Sequence, residues 1–176
     1  MKKIVLTFGL IAGAILATMM LLTQAMMDDI GFDRSEIIGY TTMILAFLMV
    51  FFGVRSYRDN VAGGTVSFAK AFQVGLLIVL VASACYVAAW QFVYYKLAPD
   101  FAEKYSAYVI DKARADGATE QEIAKRTNDM KNFAAYYRNP LINVAITFLE
   151  PLPVGLASAL LAAAVFRRKR HPVNAT

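Results

Sequence analysis

A single acidic residue, Glu150, lies within an apolar run of the sequence and is followed at once by Pro151 and Pro153. It lies about eleven residues into that run, or about 16 Å along a helix axis, which is close to the middle of a bilayer. An ionised carboxylate at that depth is expected to be paired, protonated or in contact with water. The two prolines remove backbone donors and predict a kink or an opened turn. A charge beside a broken helix is typical of ion and substrate sites in transporters.

A structural interpretation competes with this functional one. A neutral glutamate ties helices together by hydrogen bonds, and such bonds stabilise membrane bundles modestly. Four polar residues of other runs are expected at a comparable depth, and together with Glu150 and the prolines they form the predicted intramembrane polar site. These four residues are Tyr40, Thr42, Tyr86 and Gln91.

Other residues with chemical potential are scarce. The chain has one cysteine, Cys85, within an apolar run, and one histidine, His171, in a polar tail. No metalloprotease, nucleophile-elbow or phosphate-loop motif is present. The sequence therefore predicts no catalytic residue, no metal site and no cofactor, and an enzyme is the least favoured class.

The elements that hold these residues are long apolar runs. The chain is 59% hydrophobic and 18% charged, whereas soluble domains average about 45–50% apolar and about 25% charged residues. Four runs are long enough to cross a membrane as helices. They cover about residues 4–27, 37–54, 71–95 and 140–166, and they predict an all-α polytopic membrane protein.

Basic residues next to these runs predict the orientation. The net charge of +5 comes from lysines and arginines that flank the runs, as expected for cytoplasmic loops of a bacterial inner-membrane protein and not for a nucleic-acid-binding face. Both chain ends are therefore predicted to be cytoplasmic. The basic residues on this side form a predicted cytoplasmic anchor, and an alternative role for them is binding of anionic lipid head groups. The basic anchor comprises Arg55, Arg58, Lys70, Arg167, Arg168, Lys169 and Arg170.

The segment 98–138 is predicted to form a helical hairpin on the outer side, between the third and fourth spans. Asp116-Gly117 ends its first helix, and Thr119 and Glu122 have the spacing of a capping box. Aromatic residues including Phe101, Tyr105 and Tyr108 recur on one face of the first helix.

This aromatic stripe suggests a contact surface for a second copy of the chain or another membrane protein. The leading hypothesis is accordingly a non-enzymatic interaction or accessory membrane protein. The alternative is a small ion- or proton-coupled transporter or channel subunit that uses Glu150.

Small residues predict where the membrane helices pack. Lipid tails are as apolar as leucine, so close backbone approach at glycine and alanine drives helix association. Two runs carry such residues at four-residue spacing, and the sequence leaves open whether these two seams meet each other. The first seam is Gly9, Gly13 and Ala17, and the second is Gly155, Ala159 and Ala163.

Two stretches resemble a known family. The sequences GGTVSFAKAFQVG over 63–75 and EPLPVGL over 150–156, with four spans and a basic C-terminus, are similar to the uncharacterised bacterial membrane family numbered 4199 among domains of unknown function. The resemblance covers most of the chain. It implies the same four-span architecture and brings no established activity or site residues.

Overall fold

The computed structural model describes residues 1–167, and every regular element in this part of the chain is helical. Three residues of the predicted basic anchor, Arg168, Lys169 and Arg170, lie outside the described residues. A π-helical turn, Val93–Leu97, continues the third helix. The helices are α1 (Lys2–Ala25), α2 (Met27–Asn60), α3 (Phe68–Phe92), α4 (Phe101–Ala115), α5 (Glu120–Tyr137), α6 (Pro140–Leu149) and α7 (Leu152–Phe166).

Polar side chains begin several helices. Ser67 accepts a hydrogen bond from the amide of Lys70 at the start of α3. Thr119 and Glu122 form the predicted capping box, because each side chain accepts a bond from the other residue's backbone amide. Asn139 caps α6, whose first residue is Pro140, a position where the missing amide proton breaks no helical bond. The sequence thus fixes these helix starts locally.

The first two spans are joined by helical residues and not by the polar loop that the sequence suggests. Only Met26 separates α1 from α2, and α2 continues over a much longer stretch than the apolar run 37–54. Gly31 has φ 67° and ψ 172°, a conformation that residues with a Cβ rarely adopt, and there α2 changes direction. The helix is therefore interrupted at Gly31, with a short helical turn before it and the long apolar helix, which begins with the polar stretch 33–36, after it.

Four helical segments are long and apolar enough to span a bilayer: α1, α2, α3 with its π-helical turn, and α6 together with α7. Their outward faces are apolar, as Leu10, Ile44 and Leu161 illustrate with exposed fractions of 53%, 58% and 59%. In water such faces would be unfavourable, whereas lipid solvates them. The chain is therefore an all-α multi-pass membrane protein, as its sequence predicts.

The bundle is built around α3. Helices α1, α2 and α7 all pack against α3, and α2 also packs against α1 and α7. The core lies between these four helices and includes the fully buried Phe47, Val50, Ile78 and Val79. Helix α6 contributes no residue to this core cluster of the described chain. It packs instead against α3 and α5.

Both predicted small-residue seams lie at helix contacts. A methyl group added at Gly13 would meet the side chain of Cys85 of α3 at 2.5 Å. In the other seam, Ala159 packs against Gly75 of α3, and Ala163 is fully buried while Ala17 is half-buried. The glycines of both seams approach the central helix α3, so the two seams meet different faces of that helix instead of each other.

Helices α4 and α5 form the hairpin predicted between the third and fourth spans, and they pack against each other. Gly117, with φ 78°, turns the chain between them. Together with the hairpin ends of α1, α2, α3 and α6, they form what we call the hairpin half of the molecule. The opposite half carries Met1, the 61–67 loop and Phe166, and we call it the terminal half.

Candidate functional site

A partly open cavity of about 420 Å³ occupies the hairpin half of the bundle. It lies between the end of α1, the first half of α2, α3 and helix α6, with the hairpin beside it. A cavity of this size is within the usual range for small-molecule sites, about 300–1,000 Å³. We call it the hairpin cavity. Its lining residues are Leu16, Met19, Met20, Thr23, Gln24, Met27, Phe32, Ser35, Glu36, Gly39, Tyr40, Thr42, Met43, Tyr86, Trp90, Phe101, Tyr105, Tyr108, Phe133, Tyr137, Ile146 and Glu150.

Four residues of the predicted polar site line this one cavity: Tyr40 and Thr42 from α2, Tyr86 from α3, and Glu150 at the end of α6. They come from three helices that are distant in sequence, and the fold brings them together around a common space. Ion pairs among the described residues do not involve Glu150. The carboxylate of Glu150 therefore faces a cavity without a basic partner.

The two prolines act on the backbone rather than on the cavity wall. Helix α6 ends at Leu149 and α7 begins at Leu152, so the span breaks at Glu150 and Pro151 as the sequence predicts. Pro151 is fully buried, Pro153 is exposed, and neither lines the cavity. Their contribution is to interrupt the helix and to let α6 leave the direction of α7.

Gln91 does not join Glu150, contrary to its predicted place in the polar site. Its side-chain amide donates a hydrogen bond of 2.7 Å to the carboxamide oxygen of Asn143. The reason is helical geometry, since Gln91 lies five residues after Tyr86 and so points about 140° away from it around α3. Asn143 in turn donates to the backbone carbonyl of Tyr137 at 3.4 Å.

Asn143 is a functional candidate that the sequence pattern does not reveal. It is fully buried on α6 and joins α6 to both α3 and the end of α5. The one feature of the sequence that could have indicated it is a carboxamide at the fourth residue of an apolar run. The Asn139-Pro140 helix start nearby is more conspicuous. The polar residues of this half thus form two sites: the Gln91–Asn143 clamp and the hairpin cavity.

Aromatic rings form the wall of the cavity next to the hairpin. Phe101 lies edge-on to Trp90, with ring centroids 4.8 Å apart, and Phe32 lies 5.0 Å from Tyr108. Tyr105 lies 6.1 Å from Phe133 of α5. The aromatic stripe of α4 therefore has partners within its own chain, whereas its sequence pattern suggests a surface for a second chain.

Polar pairs hold the hairpin over the bundle. Tyr108 donates a hydrogen bond of 2.6 Å to Asp33 of α2, and Lys112 forms an ion pair with the same carboxylate. This carboxylate raises the pKa of Lys112 above its usual value. Arg138 pairs with Glu103 at 2.7 Å and lowers the pKa of that carboxyl group. These pairs link α4 to α2 and to the end of α5.

The hairpin half also contains buried polar groups. Trp90 Nε1 and Thr147 Oγ1 are buried and have no hydrogen-bond partner among the described residues. Burial raises the pKa of Tyr137 to about 12, so its phenol is neutral at physiological pH. Buried donors without acceptors are uncommon in native structures. Trp90 lines the cavity, but its Nε1 atom is buried within the wall.

The described part of the basic anchor lies at the terminal half. Arg58 pairs with Asp59 at 2.6 Å and its guanidinium lies 5.2 Å from the ring centre of Phe166. Arg55 and Lys70 lie near the same end of the bundle, and Lys70 donates to Gln73 at 2.9 Å. This end is remote from the hairpin cavity, so the basic anchor and the polar site are separate features.

Over residues 1–167, no group of three or more His, Cys, Asp and Glu side chains is placed to hold a metal ion. The cysteine at position 85 is a packing residue beside Gly13. What the site offers chemically is an apolar and aromatic enclosure with two carboxylates, Glu36 and Glu150.

Comparisons with known proteins place the chain in a family without assigning it an activity. Neither the curated proteins nor the solved structures contain a match. The sequence profile of one family, described as "Protein of unknown function (DUF4199)", matches residues 7–168, which is nearly the whole chain. This protein belongs to the DUF4199 family, the family that the glycine-rich start of α3 and the Glu150-Pro151 stretch resemble.

Proposed function

We propose that this chain is a non-enzymatic binding or accessory protein of the bacterial inner membrane, with the hairpin cavity as its working site. The observation that carries the proposal is the cavity itself, which gathers Tyr40, Tyr86 and Glu150 from three helices under the hairpin. A protein that only needed to hold its helices together would fill this space, because membrane helices associate by close packing.

We propose further that both chain ends are cytoplasmic and that the hairpin is outside. This orientation rests on the short-loop basic residues, because Lys2, Arg55, Arg58 and Lys70 all lie at the terminal half of the bundle. Arg55 and Arg58 are available to anionic lipid head groups at that surface. A partner protein or a second copy of the chain would bind the hairpin. Because the hairpin forms part of the cavity wall, this contact would respond to a molecule in the cavity.

We propose that the cavity opens toward the membrane between α2 and α6. Tyr40 and Ile146 line the cavity and are exposed, with fractions of 48% and 41%. A molecule dissolved in the bilayer can therefore reach Glu150 without crossing the packed core.

A cavity-filling variant tests the proposal. A side chain at Gly39 would enter open space, because a methyl group added there would meet nothing within 4 Å. We expect Gly39→Phe to fill the cavity and to lose small molecules that co-purify with the wild type in a maltoside detergent. Thr41→Phe is the matched control, since Thr41 is exposed and does not line the cavity.

Mass spectrometry of extracts from the three purified proteins gives the readout. A compound present with wild type and Thr41→Phe but depleted in Gly39→Phe supports the proposal. Identical bound molecules in all three proteins would contradict it.

A second candidate function is ion- or proton-coupled transport through Glu150. It is favoured by the position of Glu150 at a broken helix, without an ion-pair partner among the described residues. We expect Glu150→Gln to abolish a pH-dependent flux in reconstituted vesicles while Glu120→Gln, an exposed change on α5, preserves it. Wild-type vesicles without flux for any tested ion would eliminate this candidate.

A further inference from the structure

The walls of the hairpin cavity are unusually aromatic. Nine aromatic side chains line it: Phe32, Tyr40, Tyr86, Trp90, Phe101, Tyr105, Tyr108, Phe133 and Tyr137. The faces of such rings carry negative electrostatic potential and attract cations that lie within about 6 Å of the ring centre. Rings from α2, α3, α4 and α5 line one space, so a bound molecule would lie close to several aromatic side chains.

The charge of the lining has one sign. Glu36 and Glu150 are its only carboxylic acids, and no lysine, arginine or histidine is found among the lining residues of the described chain. Two carboxylates that share an enclosure of low polarity repel each other, and a cation between them removes this repulsion. An anionic group in the same space would meet carboxylates without any basic side chain to pair with it.

The remaining wall favours an apolar molecule over a bare metal ion. Four methionines, Met19, Met20, Met27 and Met43, line the cavity next to Leu16. Methionine adapts to irregular apolar ligands. Hard inorganic cations prefer six or more oxygen ligands, and the aromatic and thioether groups here do not supply them.

We infer that the hairpin cavity binds an organic cation, such as a quaternary ammonium compound, whose charge lies between Glu36, Glu150 and the aromatic rings and whose apolar body lies against the methionines. This inference rests on the proposed function, because it names the ligand class of the same cavity. Entry from the membrane between α2 and α6, as proposed above, suits an amphipathic cation that partitions into the membrane before it binds.

The chain carries its own reporter for this test. Trp90 is its single tryptophan and lines the cavity, so its emission responds to occupancy. The probes are benzyltrimethylammonium and neopentylbenzene, which have the same shape but differ by the positive charge. Both are titrated into the full chain in maltoside micelles, and phosphocholine serves as a third probe with an added phosphate.

We expect the cation to bind at least about tenfold more tightly than its neutral isostere, the ratio that cation–π contacts and carboxylates in a desolvated site provide. Nonspecific partition into micelles favours the neutral compound, so it cannot produce this preference. We expect Glu36→Gln with Glu150→Gln to weaken cation binding about tenfold or more and to leave neopentylbenzene binding unchanged. Glu120→Gln removes one exposed negative charge of α5 and serves as the matched control.

The possible results test the ligand class and the cavity proposal separately. Equal affinity for the cation and its isostere, or cation binding that survives the double glutamine variant, would overturn the inference and leave the cavity proposal standing if Gly39→Phe still blocks both probes. Phosphocholine binding as tight as that of the cation would identify a lipid head-group site and overturn the inference as well. A wild-type chain that binds none of the probes would overturn the inference, whereas the cavity proposal would be contradicted only if the molecules that co-purify with wild type and Gly39→Phe were also identical.

Discussion

The helices of the terminal half and those of the hairpin half pack through different kinds of residue. In the terminal half, α7 presents Ala159 and Ala163 to the other helices, and both are fully buried. In the hairpin half, the same span continues as α6, whose buried residues are the polar Asn143 and Thr147. The break at Glu150 and Pro151 separates these two modes of packing.

The hairpin half leaves room for a ligand because its helices are held less closely than those of the terminal half. Close contact at Gly75 and Gly155 fixes the helices in the terminal half, and this contact requires small residues on both sides. Beyond the proline break, α6 is held by the Gln91–Asn143 clamp and by the hairpin, so the space between α6 and α2 stays open. Rigid packing at one end thus supports an adaptable site at the other.

Substitutions at two glycines should give the largest difference in stability between the two halves. A methyl group at Gly155 would collide with Val79 and come within 3.1 Å of Phe47, whereas one at Gly39 meets nothing within 4 Å. We expect Gly155→Leu to lower the free energy of unfolding by about 1–3 kcal/mol through overpacking. Gly39→Leu is expected to change it by less than about 0.5 kcal/mol.

Equilibrium unfolding in detergent micelles measures both variants. Because both replace a helical glycine with leucine, differences in helix propensity cancel. Equal destabilisation of the two variants would show that the two halves are packed alike.

The polar clamp of the hairpin half gives the next largest effect. Asn143→Leu would leave Gln91 without its partner, and we expect a loss of about 1–2 kcal/mol in the free energy of unfolding. The double variant, in which Gln91 is also replaced by leucine, should recover part of that loss, because no side-chain amide of the clamp then remains without its partner. Strictly additive effects in this double-mutant cycle would rule out the clamp as a coupled pair.

A smaller, pH-dependent effect is expected within the hairpin, where the start of α4 meets the end of α5. Arg138 lowers the pKa of Glu103 below its ordinary value of 4.5, so the folded state holds the ionised carboxylate more strongly than the unfolded state does. The stabilisation is present above about pH 4.5 and is lost as the pH falls through the lowered pKa.

Thermal unfolding of the wild type and Arg138→Gln at pH 7 and at pH 3 tests this sign. The two proteins should differ at neutral pH and converge in acid, and the difference should be small because both side chains are exposed. A gap that widens in acid would contradict the assignment.

The smallest effect on stability is expected at Glu150. Since it forms no ion pair within the described residues, Glu150→Gln should change the free energy of unfolding by less than about 0.5 kcal/mol. The same unfolding assay, with Glu120→Gln as the control, measures this. A loss of about 2 kcal/mol or more would mean that Glu150 ties helices together, which is the structural alternative that the sequence leaves open.

Much of this architecture follows from local properties of the sequence. Apolar length predicts the four spans, because a lipid-solvated backbone must form its own hydrogen bonds as a helix. The capping box at Thr119, the turn at Gly117 and the break at Pro151 also follow, since each depends on residues close together in the chain. Glu150 is recognisable as unusual for the same reason.

Contacts between distant segments determine which residues face each other, and these contacts are seen only in the folded chain. The tertiary structure paired Gln91 with Asn143 instead of Glu150, directed both small-residue seams toward α3, and turned the aromatic stripe of α4 inward against Phe32. The physical reason is that the rotation and lateral placement of each helix depend on contacts between distant segments. Periodicity along one helix gives the face that packs but not the helix that it meets.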